Sequence, residues 1–205
     1  MPSLSPLDGR YKEKVEELTQ FLSEEALMRY RLYIEIEYLI ALSKEKKVKE
    51  LPPLTQKQIK DLYALLDDFT QEDADDIRAI EQETNHDVKA IEYFLRKKLT
   101  KKWGKKAPLH FIHFALTSED VNNLSYSLMV QDTIEEVMFE ALLDLTEEIE
   151  MFAENTIDLP MLSLTHGQPA TPTTLGKEMY VFVERLNDQI MDLFGFRMQG
   201  KFGGA

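Results

Sequence analysis

Apolar and polar positions recur with a helical period along most of the chain. Gly and Pro cluster, which leaves residues 10–51, 54–103 and 109–159 free of both. Uninterrupted stretches of that length predict helices. After Ser23 come the acids Glu24 and Glu25, then Leu27, Tyr30, Ile34, Tyr38 and Ala41 near helical spacing, then Lys44, Lys46 and Lys47. Acids at the start and cations at the end suit a helix dipole, so charge and periodicity agree on one helix with its apolar stripe through those five residues. Pro52-Pro53 stops it. Thr55 followed by Gln58 makes a capping box for a helix carrying Ile59, Leu62, Leu65, Leu66 and Phe69, and Thr70 restarts a helix through Ile77 and Ile80. A fourth begins near Thr84 to Asp87 and buries Val88, Ile91, Phe94 and Leu95 before the break at Lys101-Lys102-Trp103-Gly104. These four pieces predict one compact domain.

From Ser118 the pattern lengthens. One helix is expected toward Asn155, with room for an irregularity, and another from about Thr174 to Gln199, closed by Gly200. Residues 107–176 hold twelve acids and no Lys or Arg, which gives the first long helix a negative, solvated face. Its other face, through Val130, Ile134, Val137, Ala141, Leu145 and Ile149, is apolar in steps of three or four. Little else in the sequence is available to cover it, which predicts association between subunits through long helices.

Composition narrows the function classes. The chain has 205 residues, 24 Lys plus Arg against 37 Asp plus Glu, and a net charge of -13. Bulk charge of that sign does not make a nucleic-acid clamp. The seven cations between Arg96 and Lys106, with Trp103 among them, fall at a helix C-terminus, where lysine is favoured by the dipole and by solvation. No run approaches the roughly 18 apolar residues of a membrane span, and the first 25 residues carry acids instead of a basic head and a greasy core. The expectation is a soluble, uncleaved, cytoplasmic protein. With no cysteine, catalysis has to use His, hydroxyl, carboxylate or amine groups.

Four segments place hydrogen-bonding side chains where packing alone does not demand them: Asp8-Gly9-Arg10-Tyr11, Thr84 to Lys89, His113 to Asp120, and Thr165 to Pro172. Thr84 and Thr117 stand at or near predicted helix starts, where unpaired amides and the macrodipole favour an anion. Arg10 and Lys89 offer full positive charge there and Ser118 a hydroxyl donor; the same residues also serve as plain helix caps. His110 and His113, three apart, would share a helical face, but the pair lacks the acid and third ligand of zincin patterns, so no metal is expected. Phe111, Ile112, Phe114 and Leu116 place His113 beside a core, as a neutral imidazole bonded to backbone or as a phosphate-facing group. Gly167, Pro169 and Pro172 exclude a helix and hold a fixed turn between two long helices, from which His166 is presented. An imidazole so mounted suits proton transfer near neutral pH, and an ordinary polar turn is the competing account.

Together, SPLDGRY, TNHDVKAIEYFL, FIHFALTSEDVNNLSYSLM and THGQPATPTTLGKEM resemble, in order and spacing, the N-terminal half of the adenylosuccinate lyases, a family of the fumarase/aspartase superfamily. The resemblance covers essentially the whole chain, and Gly200 to Ala205 resembles the family's glycine-rich turn. It implies an all-α fold, with a small N-terminal helical domain over residues 1–112 and the start of a long-helix bundle domain over 113–205. It further implies a cytoplasmic homotetramer, no cofactor, no metal, no nucleic-acid or membrane partner, and a nucleotide substrate cleaved by β-elimination of fumarate. By resemblance His166 is the general acid and His86 orients it. Arg10, Tyr11, Asn85, His86 and Asp87 bind the nucleotide, Thr117 and Ser118 the succinyl group, Lys89 and His113 face anionic groups, and Gln168 holds the turn or substrate. The family's base is a serine on a mobile loop beyond residue 205, so the 205 residues alone are expected to be inactive. Argininosuccinate lyase activity and a non-catalytic helical assembly module are the alternatives.

Overall fold

The computed structural model describes residues 3–104 and 107–204, and Lys105 and Lys106 of the cationic run lie outside that set. The described chain is helical apart from one hairpin. It divides into two compact units, Met1–Val130 with Met198–Ala205, and Gln131–Arg197.

In the first unit, 3-10 turns and a short helix α1 (Thr19–Leu22) lead into α2 (Glu24–Lys44), α3 (Gln56–Asp67), α4 (Gln71–Thr84), α5 (Asp87–Trp103) and the start of α6 (Ser118–Thr133). The boundaries follow local chemistry. Ser23 Oγ accepts from the Ala26 amide at 3.1 Å to open α2. Thr55 and Gln58 form the reciprocal capping box expected of them, and the Asp73 carboxylate accepts from the Thr70 amide at 3.1 Å to open α4. Leu32, Ile36 and Leu39 of α2, Leu62 and Leu66 of α3, Ile77 of α4 and Ile91, Phe94, Leu95 and Leu99 of α5 form one core with Phe111 and Ile112. Each such side chain, fully buried, contributes about 1.5–3 kcal/mol.

The stripe expected on α2 is only partly right. Ala26, Met28, Arg31, Leu32, Ile34, Glu35, Ile36, Leu39, Ile40 and Ser43 are buried, whereas Ala41 is exposed and Tyr30 and Tyr38 are half-buried. The helix runs through the unit with neighbours on nearly every side, so its sequence shows no single apolar face. Three of the cations after Arg96 make helix-to-helix pairs: Lys97 with Asp76 at 2.9 Å, Lys98 with Asp73, and Lys102 with Asp61 at 3.3 Å, where the Trp103 indole also donates at 3.0 Å.

In the second unit, a π-helical segment (Ile134–Met138) is the irregularity between α6 and α7 (Phe139–Asn155). An antiparallel hairpin of β1 (Pro160–Thr165) and β2 (Gln168–Thr174) follows, and α8 (Leu175–Gly195) packs back on α7. The fixed turn expected to present His166 is the tip of this hairpin, its two strands were not expected, and α8 stops at Gly195, short of Gln199. The predicted apolar face is not buried by α8: Ile134, Val137 and Ile149 are half-buried and Val130, Ala141 and Leu145 exposed, whereas the buried residues here are Thr146 and Ala153 of α7 and Gly176, Val183 and Ile190 of α8. No helix among the described residues is long and apolar enough to cross a membrane.

Candidate active site

The start of α5 is built from the second of the four segments. Thr84 ends α4, its hydroxyl donating to the Ile80 carbonyl at 3.0 Å, so it does not cap the next helix as expected. Asn85 follows with φ 52°, in the left-handed region where Asn is among the residues best tolerated. This allows a two-residue turn between α4 and α5. His86 is the cap: its Nδ1 accepts from the Lys89 amide at 3.2 Å. With Nδ1 accepting, the neutral ring carries its proton on Nε2, and Nε2 lies 3.4 Å from Ser118 Oγ at the start of α6. Two helix N-termini, from segments about thirty residues apart, therefore meet through an imidazole and a hydroxyl.

Asp120 caps α6 by accepting from the Thr117 amide at 3.0 Å. Its side chain is fully buried and also takes the amides of Gly203 at 2.9 Å and Gly204 at 2.8 Å and the Lys201 ammonium at 3.0 Å. Those bonds, led by Thr117 and Gly203, hold the Asp120 carboxyl well below the ordinary aspartate range. Asn123 completes the fastening, donating to the Lys201 carbonyl at 2.9 Å and accepting from its amide at 2.6 Å. The glycine-rich segment after Met198 is thereby tied to the first turns of α6.

His113 does not share a helical face with His110. A 3-10 turn ends at Phe111, and His113 has φ 61°, so the two rings diverge. His110 is exposed with its ring 4.3 Å from that of Phe111. Nor does His113 bond to backbone as a neutral core imidazole: its Nδ1 meets Glu35 Oε1 at 2.5 Å and its Nε2 lies 3.8 Å from Glu92 Oε1. Burial disfavours the cation, but the Glu35 hydrogen bond and the charges of Glu35 and Glu92 outweigh it and raise the pKa. Lys89 belongs to the same cluster, its ammonium 2.7 Å from Glu92, and Arg96 approaches Glu92 at 3.9 Å. Both carboxylates are buried, and Glu35 Oε2 has no hydrogen-bond partner.

Arg10 and Tyr11 are exposed near the N-terminus, the guanidinium 5.3 Å above the phenol ring. Asp87, the first residue of α5, pairs with buried Arg31 at 2.5 Å. In the second unit, His166 and Gly167 form the hairpin tip with φ 49° and 74°, the positive pair that a two-residue I′ turn requires. His166 is exposed there, and Gln168 opens β2 opposite Thr165. Pro169 and Pro172 are tolerated because each strand of a two-stranded sheet has a free edge. Two open clefts of about 600 Å³ lie nearby, one lined by Ala153, Ile157, Gly176 and Tyr180 and the other by Ser163, Thr171, Thr174 and Lys177; neither includes His166.

Sequence reasoning missed Arg31, Glu35, Glu92 and Asn122, and had Asp120 only as the end of the third segment. The available signal was Arg31 and Glu35, one helical turn apart inside the apolar run of α2, where a solvated pair is not expected.

The chain matches the family described as Lyase over residues 9–205. It is 42% identical over 203 residues to an adenylosuccinate lyase of Legionella pneumophila, covering 99% of this chain and 44% of that protein. Over 212 residues it is 42% identical to an adenylosuccinate lyase of Dictyostelium discoideum, covering all of this chain and 45% of that one. The chain thus spans less than half the length of these relatives. In fold it is similar to a fumarate lyase from Mesorhizobium sp. BNC1, with a TM-score of 0.70 at 16% identity over 93% of this chain and 42% of the other. A 3-carboxy-cis,cis-muconate lactonizing enzyme from Pseudomonas putida superposes with a TM-score of 0.68 at 17% identity, covering 93% of this chain and 42% of that enzyme.

Proposed function

Because the chain belongs to the lyase family that it matches over residues 9–205, we propose that the protein carrying it is an adenylosuccinate lyase. It releases fumarate from adenylosuccinate to give AMP, and from succinylaminoimidazole carboxamide ribotide to give the aminoimidazole carboxamide ribotide of purine synthesis. The observation that carries this reading is the meeting of His86 Nε2 and Ser118 Oγ at two helix starts, with Lys89 one turn into α5. Such a place suits an anionic substrate, because a hydroxyl and an imidazole meet there between two helix N-termini whose dipoles favour negative charge.

The reaction sets the roles. A base removes a proton from the methylene carbon beside one succinyl carboxylate, and the C–H electron pair becomes the double bond of fumarate. The C–N bond breaks, its electrons return to nitrogen, and an acid protonates that nitrogen. His166, mounted on a turn with fixed positive φ, is assigned as the acid and His86 as the group that orients it. Thr117 and Ser118 hold the succinyl carboxylates as charge builds on them. Arg10, Tyr11, Asn85, His86 and Asp87 bind the nucleotide, Lys89 and His113 complement its anionic groups, and Gln168 steadies the turn. His113 acts through the carboxylates it touches, since both its ring nitrogens face them. The base is the serine that the family resemblance implies on a loop beyond residue 205. Residues 1–112 are the first domain and 113–205 the start of a helical bundle, assembled as a cytoplasmic homotetramer.

The test is fumarate release from adenylosuccinate by the full-length protein and by His166→Ala. A loss of about 10²–10⁴-fold in kcat is expected for an acid. A variant with wild-type kcat removes His166 from that role, and a wild-type protein that cleaves argininosuccinate instead replaces the substrate. The 205-residue polypeptide alone should release no fumarate above its own His166→Ala control.

A further inference from the structure

Resting on the reading above, we propose that Arg31 is a positioning residue: its guanidinium sets the separation of the two helix starts that carry His86 and Ser118. Arg31 lies in the middle of α2 with its side chain only 8% exposed. A cation so buried is held by the acceptors it meets. Nη2 reaches Asp87 Oδ2 at 2.5 Å and Nε reaches Asn122 Oδ1 at 2.9 Å. Asp87 is the residue after His86, and Asn122 is one turn beyond Ser118. One planar fork therefore grips both segments, at Asp87, itself assigned to the nucleotide, and one turn beyond Ser118, and the fixed angle between its N–H groups fixes the distance between their acceptors.

The apolar surroundings stiffen this clasp. Ile34 of α2, Val88 of α5 and Val121 of α6 pack together. Ile34 lies one turn from Arg31 on α2, Val88 follows Asp87, and Val121 precedes Asn122. Apolar contact alone would hold the three helices together, whereas an apolar residue at position 31 would leave the Asp87 carboxylate and the Asn122 amide oxygen without their donor. Only the guanidinium ties the two acceptors to one rigid plane. Lysine keeps the charge but is a point donor on a flexible stem, so it satisfies Asp87 and releases Asn122.

Two variants of the full-length protein test the clasp: Arg31→Lys, and Asn122→Leu, which removes one arm only. Arg78→Lys is the control, because Arg78 ties Glu24 and Glu25 of α2 to Asp75 of α4 away from the site. KM does not depend on how much of a sample is folded, so it separates misplacement from simple loss of folded protein. Both test variants should raise KM for adenylosuccinate by about tenfold, the scale of a sub-ångström misplacement, and Arg78→Lys should leave it unchanged. Hydrogen exchange read by mass spectrometry should rise in peptides covering 84–90 and 117–123 and nowhere else in α2 to α5. Wild-type KM with wild-type exchange in either folded variant overturns the proposal. If Arg31→Lys does not fold, Asn122→Leu decides alone. A wild-type protein that cleaves no adenylosuccinate defeats the functional reading without touching the clasp, which then stands or falls on the exchange data.

Discussion

Gly176→Ala should destabilise the protein, against what helix propensity predicts. Gly176 is the second residue of α8, and its backbone conformation is open to any residue. Replacing glycine by alanine inside a helix normally gains about 0.5–1 kcal/mol. Here the added Cβ would meet the Ala153 carbonyl oxygen and would sit 2.6 Å from Ile157 Cα and 2.7 Å from Ile157 N. All three are backbone atoms, so no rotamer change relieves the overlap. The start of α8 must move away from the end of α7, weakening the bonds from the Leu175 amide to Leu159 and the Gly176 amide to Thr156, both 3.0 Å. Overpacking of this kind costs about 1–3 kcal/mol, and with nothing flexible to yield the upper half of that range applies. After the propensity gain, a net loss of about 1–2 kcal/mol remains, a fall in Tm of roughly 2–8 °C for a chain of this size. Gly195, at the other end of the same helix, has nothing within 4 Å of its virtual Cβ, so Gly195→Ala should hold or raise Tm. Thermal unfolding followed by circular dichroism measures both. A Gly176→Ala protein as stable as Gly195→Ala would refute the reasoning from close approach.

Other outcomes follow from the same geometry. His113 gains charge stabilisation on folding, so its contribution is complete below the ordinary histidine value of 6.5 and is lost as pH rises through the raised pKa. His113→Gln should flatten that alkaline decline in Tm and, by leaving Glu35 buried without its cation, cost on the order of 3 kcal/mol near pH 6. Asp120→Asn should free the segment after Met198, seen as faster proteolysis and hydrogen exchange at residues 198–204. Because folding lowers the Asp120 pKa, this fastening is intact above the ordinary value of 3.8 and fails as pH falls through the depressed one. Thr174→Ala removes the cap that accepts from the Lys177 amide at 3.2 Å, and denaturant titration should show a loss of about 1 kcal/mol.

Most helices of the first unit were legible because their ends carry local signals. Ser23, the Thr55–Gln58 box and Thr70 cap where their side chains say they should, and Pro52-Pro53 ends what it interrupts. Burial on α2 was legible only in part. Arg31 and Glu35 interrupt its apolar run, which signals interior charges, but their partners Asp87, Asn122 and His113 lie tens of residues away and could not be read from it. The exclusion of helix at Gly167–Pro172 was sound, but prolines also argue against strands, so a hairpin with both edges free lay outside what composition can indicate. Of the candidate site, His86 and Ser118 could be named singly from sequence. Their approach could not, because it depends on how α5 and α6 cross.

The carboxylate of Asp120 also bears on the order in which the protein is made. Three of its five hydrogen bonds come from amides of Gly203 and Gly204, and a fourth from Lys201. As the ribosome extends the chain, Asp120 emerges more than eighty residues before these donors, and all of Gln131–Arg197 is synthesised in between. Through that interval the first turn of α6 carries a charged group with no shelter except water and its own Thr117 amide. The fastening of the segment that bears Ser118 is therefore completed only once residues 201–204 have been made, however early the core of α2 to α5 has collapsed.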